Sequence, residues 1–241
     1  ERESEQGVAM DAPNRNYKDD NHKPECICAL SPFWAMYGFR NISDILNLMG
    51  KNCPVGLAAE LDSLKRHPDS RGLKRFFTDL MTMDSRRQKR VVDEAVQNAH
   101  QYSDEDIAFY WMTRLSNGYP TDIGILAPLL LNLIELGPGE ALFLPAGELH
   151  AYLEGVGMEV MANSDNVLRG GLTPKHIDVP ELLKVLHFKP RPVNILKAVK
   201  KNKNESVYAS DADEFVLSVV NASAGNPYQS SESRSVEILL C

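Results

Sequence analysis

Apolar and aromatic residues dominate positions 25–39, where they alternate with small and polar ones and are interrupted by Ser31-Pro32. This pattern predicts two short strands joined by a bend or bulge. From Ser43 the period changes. Ile45, Leu46 and Leu48, then Leu57, Leu61 and Leu64, then Leu73, Phe76, Phe77, Leu80 and Met81, and finally Val91, Val92, Ala95 and Ala99 recur at helical spacing. Several amphipathic helices therefore follow one another to about Tyr110. Asn41 or Ser43 is placed to cap the first, and turns at Asp69-Ser70-Arg71-Gly72 and Asp84-Ser85 separate later ones. A last helix over 104–115 is broken by Asn117-Gly118 and Pro120.

Strand character returns from Glu140, with segments 141–144, 151–153 and 158–161 set apart by Pro145, Gly147, Gly155 and Gly157. Helices are thus inserted between two halves of a sheet. Residues 179–186 predict a short helix, with Asp178 as cap and Pro180 in its first turn. Strands at 215–220 and 236–240, flanking a polar loop at 222–235, predict the beginning of a second β unit. The chain opens at Glu1 without Met and stops at Cys241 inside an apolar run, and it is expected to be part of a longer protein.

Composition changes this picture little: 43% hydrophobic and 24% charged residues are the proportions of a soluble globular protein. The apolar stretch at 123–136 is broken by Pro128, Asn132 and Glu135, too short to span a bilayer. No membrane partner is expected. A net charge of −7 without an aromatic and basic strip gives no reason to expect a nucleic-acid partner. Four cysteines without CxxC pairs suit a reduced, cytoplasmic protein, expected to act as a monomer. An anionic ligand would need a local group of Lys and Arg, since the overall field repels it.

Three segments carry candidate chemistry. The first runs from Gly139 through Pro145 and Gly147 to His150, a strand, a Gly turn and an imidazole delivered to the inside of a small barrel; a hydrogen-bonded core histidine is the alternative. In the second, His22, Lys23 and Glu25 lie within four residues around the stiff Pro24. The carboxylate and imidazole suit zinc, and the ammonium is free for an anionic substrate. In the third, Asp165 and Arg169 precede Gly170-Gly171 and Lys175. Arg169 and Lys175 can together hold a phosphate, and the alternative is a surface loop with an Asp165 to Arg169 ion pair.

The spacing from Gly139 to His150 matches the second motif of the cupin superfamily. With His22-Lys23-Pro24-Glu25, His150-Ala151-Tyr152-Leu153, Asn163-Ser164-Asp165-Asn166 and Leu172-Thr173-Pro174-Lys175, the chain closely resembles the type I mannose-6-phosphate isomerases. The resemblance implies a mainly β fold with an α insertion. Residues 1–42 and 119–189 would form a catalytic cupin jelly-roll barrel, 43–118 a helical domain, and 190–241 the start of a second barrel.

It also implies Zn2+ held by Glu25 and His150, with a Gln and a His from an upstream Gln-x-His strand. No Gln-x-His occurs in these 241 residues. A sugar phosphate is the implied small-molecule partner, passing between aldose and ketose through an enediol. His22 and Asp165 are then candidates for ring opening, Lys23 for proton transfer or oxyanion stabilisation, Arg169 for orienting substrate and offsetting enediolate charge, and Lys175 for the phosphate. Two other readings stand beside this one: a cupin that binds a sugar phosphate without turnover, and an iron-dependent cupin oxygenase with further ligands near His150.

Overall fold

A computed structural model of the chain describes residues 2–230 and 236–241. After a short helix α1 (Arg2–Glu5), the chain enters β1 (Glu25–Ala29) and β2 (Phe33–Phe39). The predicted bend at Ser31-Pro32 does more than interrupt a strand, because it carries the chain from one sheet to another. Strand β1 lies in a four-stranded sheet of order β6-β1-β4-β7, and β2 lies centrally in a three-stranded sheet of order β3-β2-β5. The partners are β3 (Leu131–Leu136), β4 (Glu140–Leu144), β5 (His150–Glu154), β6 (Gly157–Met161) and β7 (Ile195–Lys197), and all pairings are antiparallel.

The two sheets face each other. Ile27, Ala29, Leu142 and Leu144 from the first pack against Phe33, Ala35, Tyr37, Ile134 and Leu136 from the second. Because strand side chains alternate between faces, the neighbouring positions point outward and must be covered separately. Cys26, Cys28 and Ala141 on the first sheet's outer face meet Tyr208 of a third sheet, with Phe143 and Leu217 packed around them. That sheet consists of β8 (Val199–Lys200), β9 (Glu205–Tyr208) and β10 (Leu217–Val220), in the order β10-β9-β8. Burial pushes the Cys26 thiol up to about 11, so it sits there as a protonated, apolar side chain.

The outer face of the second sheet is covered by helices, α2 (Ile42–Asn52), α3 (Ala58–Arg66), α4 (Ser70–Met81), α5 (Ser85–His100), α6 (Ile107–Gly118) and the single turn α7 (Ala127–Leu130). Their apolar stripes, including Leu61, Leu73, Phe76, Val92 and Met112, form one cluster with Met36, Phe39 and Leu131 of the sheet. The Asp69 and Asp84 turns are helix N-caps. Asp69 accepts from the backbone N–H groups of Arg71 and Gly72, and Asp84 accepts from that of Arg87. Asn41 stands at the N-cap of α2 but its side chain makes no cap hydrogen bond. Asp178 caps α8 (Val179–Val185) by accepting from the Glu181 N–H.

Several strands differ from the sequence expectation. The sheet resumes at Leu131, earlier than Glu140, because residues 123–136 divide into a 3-10 turn, α7 and β3. Residues 123–131 are mostly apolar and buried, so no alternation there reveals where helix yields to strand. Strands β7, β8 and β9 are two to four residues long, too short to leave a period. The 236–240 segment is not a strand: it is irregular, and Ile238 is 93% exposed. The expected polar loop at 222–235 is irregular as far as 230, and its last five positions lie outside the described residues.

The sheet and the helices meet at an aromatic trio. Phe39, 1% exposed at the end of β2, lies edge-on to Phe77 of α4 and stacks on Phe188, with centroids 5.6 Å away in each case. Phe39→Ala is expected to lower the unfolding free energy by about 3–5 kcal/mol, read from a denaturant titration. A loss below about 1 kcal/mol would mean that the trio adds little to holding helices and sheet together.

Candidate metal and substrate site

The alternation that builds the barrel interior also brings polar groups into it. Glu25 is paired with Met161 across β1 and β6 and shares a face with Ile27, whose β6 partner is Glu159. On β5, His150 lies opposite the inward Tyr37, and Tyr152 opposite the inward Ala35. Glu25, His150, Tyr152 and Glu159 therefore converge on one interior although they are up to 134 positions apart in sequence.

Their geometry is tight. His150 Nε2 lies 2.9 Å from Glu25 Oε2, and Lys23 Nζ lies 4.0 Å from the other oxygen of Glu25. His150 Nδ1 lies 3.1 Å from the Glu148 carbonyl oxygen, so in the metal-free chain both ring nitrogens face acceptors, Nδ1 the carbonyl and Nε2 the Glu25 carboxylate. The Tyr152 hydroxyl donates to Glu159. Burial pulls the His150 imidazole down, but the hydrogen bond and charge of Glu25 outweigh it, so its pKa is raised above the ordinary histidine value. Burial first, and then the bond to Glu159, raises the Tyr152 hydroxyl, which stays protonated.

These residues suit zinc in kind, with an imidazole nitrogen and a carboxylate oxygen aimed at one point and the second imidazole nitrogen fixed by a carbonyl. Among the described residues no group of three or more His, Cys, Asp and Glu is placed for a metal. Glu25 and His150 are thus a pair of groups suited to zinc, where such a site ordinarily takes four ligands.

The other predicted residues lie in surrounding loops. His22, its side chain 67% exposed, reaches Glu214 at 2.6 Å and not Asp165. Asp165 is exposed, and no ion pair joins it to Arg169 among the described residues. Arg169 is half-buried and Lys175 is exposed. A Cβ at Gly171 would fall 3.1 Å from the Asp122 carboxylate and from Gly124, so this glycine lets a neighbouring loop approach.

What organises this region is Asp19, which sequence reasoning passed over. Its carboxylate accepts from Asp165 N (2.7 Å), Ser164 Oγ (2.9 Å), Asn21 N (2.9 Å) and Asn166 Nδ2 (3.1 Å). One side chain thereby ties the segment before Lys23 to the segment before Arg169. The only available signal was an Asp two residues before Asn21 in a polar run, indistinguishable from a solvated loop. Tyr152 and Glu159 were also missed as site residues, because only the pairing of strands puts them beside His150.

Residues 55–131 match the family model of the phosphomannose isomerase type I helical insertion domain, and residues 2–42 match that of its catalytic domain. The mannose-6-phosphate isomerase of Salmonella typhimurium is 43% identical over 220 residues, covering 90% of this chain and 55% of the relative. That of Escherichia coli is 40% identical over 242 residues, covering 100% and 60%. The chain belongs to the type I phosphomannose isomerase family. It spans a little over half the length of these relatives.

Among family structures, a crystal structure of a variant phosphomannose isomerase from Salmonella typhimurium superposes with a TM-score of 0.84 at 40% identity, covering 92% of this chain and 56% of that one. A zinc-bound mannose 6-phosphate isomerase superposes with a TM-score of 0.81 at 39% identity, with the same coverage. These family members have the cupin fold, so the paired sheets described above are the family's jelly roll, carrying its helical insertion.

The Asp165 N–H holds the Asp19 carboxyl below the ordinary range; desolvation opposes it, and the donors of Ser164 and Asn21 with the charge of Lys23 add to the lowering. A depressed pKa means that the loop's attachment is complete above the unfolded value of about 3.9 and is lost as pH falls through the lower folded value. The Asp165 amide proton shift, followed by NMR, is therefore expected to titrate below the range of an aspartate in an unstructured peptide, and Asp19→Ala should abolish that titration. A midpoint at the ordinary value would mean that the carboxylate does not hold the loop.

Proposed function

We propose that this chain is the zinc-bearing part of a mannose-6-phosphate isomerase, interconverting mannose 6-phosphate and fructose 6-phosphate through an enediol. The observation that carries the reading is the approach of His150 Nε2 to Glu25 Oε2 at 2.9 Å, beside Lys23, in a chain of this family. Glu25 and His150 would hold Zn2+, with the remaining ligands on the Gln-x-His strand that the family resemblance places outside this sequence. When bound, the metal supplies Lewis acidity for charge developing on the sugar oxygens.

Ring opening comes first, and we assign it to His22 and Asp165. In the open aldose a base takes the proton from C2 while the C1 oxygen gains one, giving the enediol. Return of a proton to C1, with loss of the C2 hydroxyl proton, leaves the ketose. Lys23, its ammonium 4.0 Å from Glu25, is the group we assign to proton transfer or to the enediolate oxygen. Arg169 orients the substrate and offsets its negative charge, and the exposed Lys175 takes the phosphate. The division into 1–42 with 119–189, 43–118 and 190–241 is the organisation that accompanies this reading, with a monomer in the cytoplasm as its setting. No helix is long and apolar enough to cross a membrane among the described residues.

The test is metal content by mass spectrometry together with a coupled isomerase assay on mannose 6-phosphate, comparing these 241 residues with the protein extended at both ends. Zinc and turnover in the extended protein are the expected result. Zinc without turnover would replace isomerisation with sugar-phosphate binding. In the same protein, Arg169→Ala should lower kcat by a larger factor than it raises KM, because the charge it offsets develops in the transition state. A rise confined to KM would assign Arg169 to ground-state binding.

A further inference from the structure

His150 leaves a loop before it enters β5, and something must fix the loop if the imidazole is to keep its aim. Glu148, two residues earlier, is the group that the chain holds most firmly there. Its side chain is 1% exposed and its Oε1 accepts from both Arg191 Nε at 2.6 Å and His187 Nδ1 at 2.9 Å. A carboxylate buried so completely is stable only when so paired, and removing one partner of such a pair is expensive.

Both partners come from the segment after α8, which runs along the end of β2 as a strap. The Arg191 N–H donates to Phe39 O at 2.9 Å, Asn132 Nδ2 donates to Arg191 O at 3.0 Å, and the His187 N–H donates to Gly147 O at 3.3 Å. From the other side the Gly38 N–H donates to Leu149 O at 2.8 Å. The loop is thus gripped at three successive residues before the imidazole.

Two glycines make this approach possible. Gly38 has φ +54, and a Cβ there would fall 2.7 Å from Arg191 Cβ. Gly147 has φ +81, and a Cβ there would meet Val185 O at 3.0 Å and the His187 ring at 3.1 Å.

We infer that the strap residues Arg191 and His187, acting through the Glu148 side chain, position the Glu148 carbonyl that holds His150 Nδ1 and thereby aim Nε2 at Glu25. Arg191 and the Glu148 carboxylate are positioning groups, since what touches His150 is the Glu148 backbone carbonyl and not either side chain. The inference deepens the functional reading above and rests on it for the meaning of Nε2 as a metal ligand. The clamp itself is a property of the polypeptide.

The experiment is NMR of the His150 ring nitrogens in this chain, where the Nδ1 and Nε2 shifts report the protonation and hydrogen bonding of each nitrogen, combined with titration of the same samples by Zn2+ alone. Arg191→Ala should loosen the Nδ1 hydrogen bond to the Glu148 carbonyl, seen as a changed Nδ1 shift, while far-ultraviolet circular dichroism remains that of the parent, and should weaken Zn2+ binding by about 10–100-fold. Arg191→Lys, which keeps a cation, should recover part of both.

A folded Arg191→Ala protein with the parent's ring signal overturns the inference, whatever its melting temperature. Should that variant fail to fold, Glu148→Gln, of nearly the same size but without the charge that draws in Arg191 and His187, decides by the same criteria. Failure of the isomerase reading would show elsewhere, as a zinc-loaded extended protein that leaves mannose 6-phosphate unchanged, with the ring signal still deciding the clamp.

Discussion

The carboxylate of Glu25 stands inside a sheet-walled space at 9% exposure, where an unpaired charge would cost several kcal/mol. Much of the arrangement around it answers that constraint. The period of β1 sends Glu25 inward with Ile27 and Ala29, and sends Cys26 and Cys28 outward. A one-residue slip would exchange these sets, placing two thiols in the barrel and the carboxylate against the third sheet. Register is therefore fixed by charge as well as by apolar packing. The partners that make the charge tolerable, His150 and Lys23, come from the far edge of the opposite sheet and from the loop just before β1.

Both sheets are used on both faces, which explains the layering. The inner faces enclose an apolar floor of Ile27, Ala35, Leu142 and Ile134, with the polar group above it. The outer face of the β3-β2-β5 sheet is covered by the helices, and that of the β6-β1-β4-β7 sheet by the third sheet. Helices and third sheet thus stiffen the strands from outside while adding little to the polar group itself. The exceptions are loops and straps: the Asp19 carboxylate joins two site-bearing segments, and the strap after α8 grips the loop before His150.

Much of the candidate site was legible because its residues are close together in sequence. His22, Lys23 and Glu25 share one turn before a strand, and the Gly139 to His150 spacing has few uses other than delivering an imidazole from a barrel strand. The helices were legible because each buries one face, and their caps at Asp69 and Asp84 lie where the periodic runs begin. Tyr152, Glu159, Asp19 and Glu148 were not legible as members of the site. Each looks ordinary in its own segment, and each acquires its role from a partner distant along the chain.

Sequence by itself determined the local physics: which stretches form helices, where strands 141–144, 151–153 and 158–161 lie, and that a carboxylate, an imidazole and an ammonium stand beside strands able to bring them inward. Local periodicity suffices for that, since helix and strand each impose a repeat within a few residues. Tertiary structure decided everything that depends on pairing. It turned 131–136 into a strand, left the apolar 236–240 irregular, set His22 against Glu214, and buried Glu148 beneath Arg191 and His187. These outcomes depend on which distant group lies across a hydrogen bond, and no repeat within a segment records its partner.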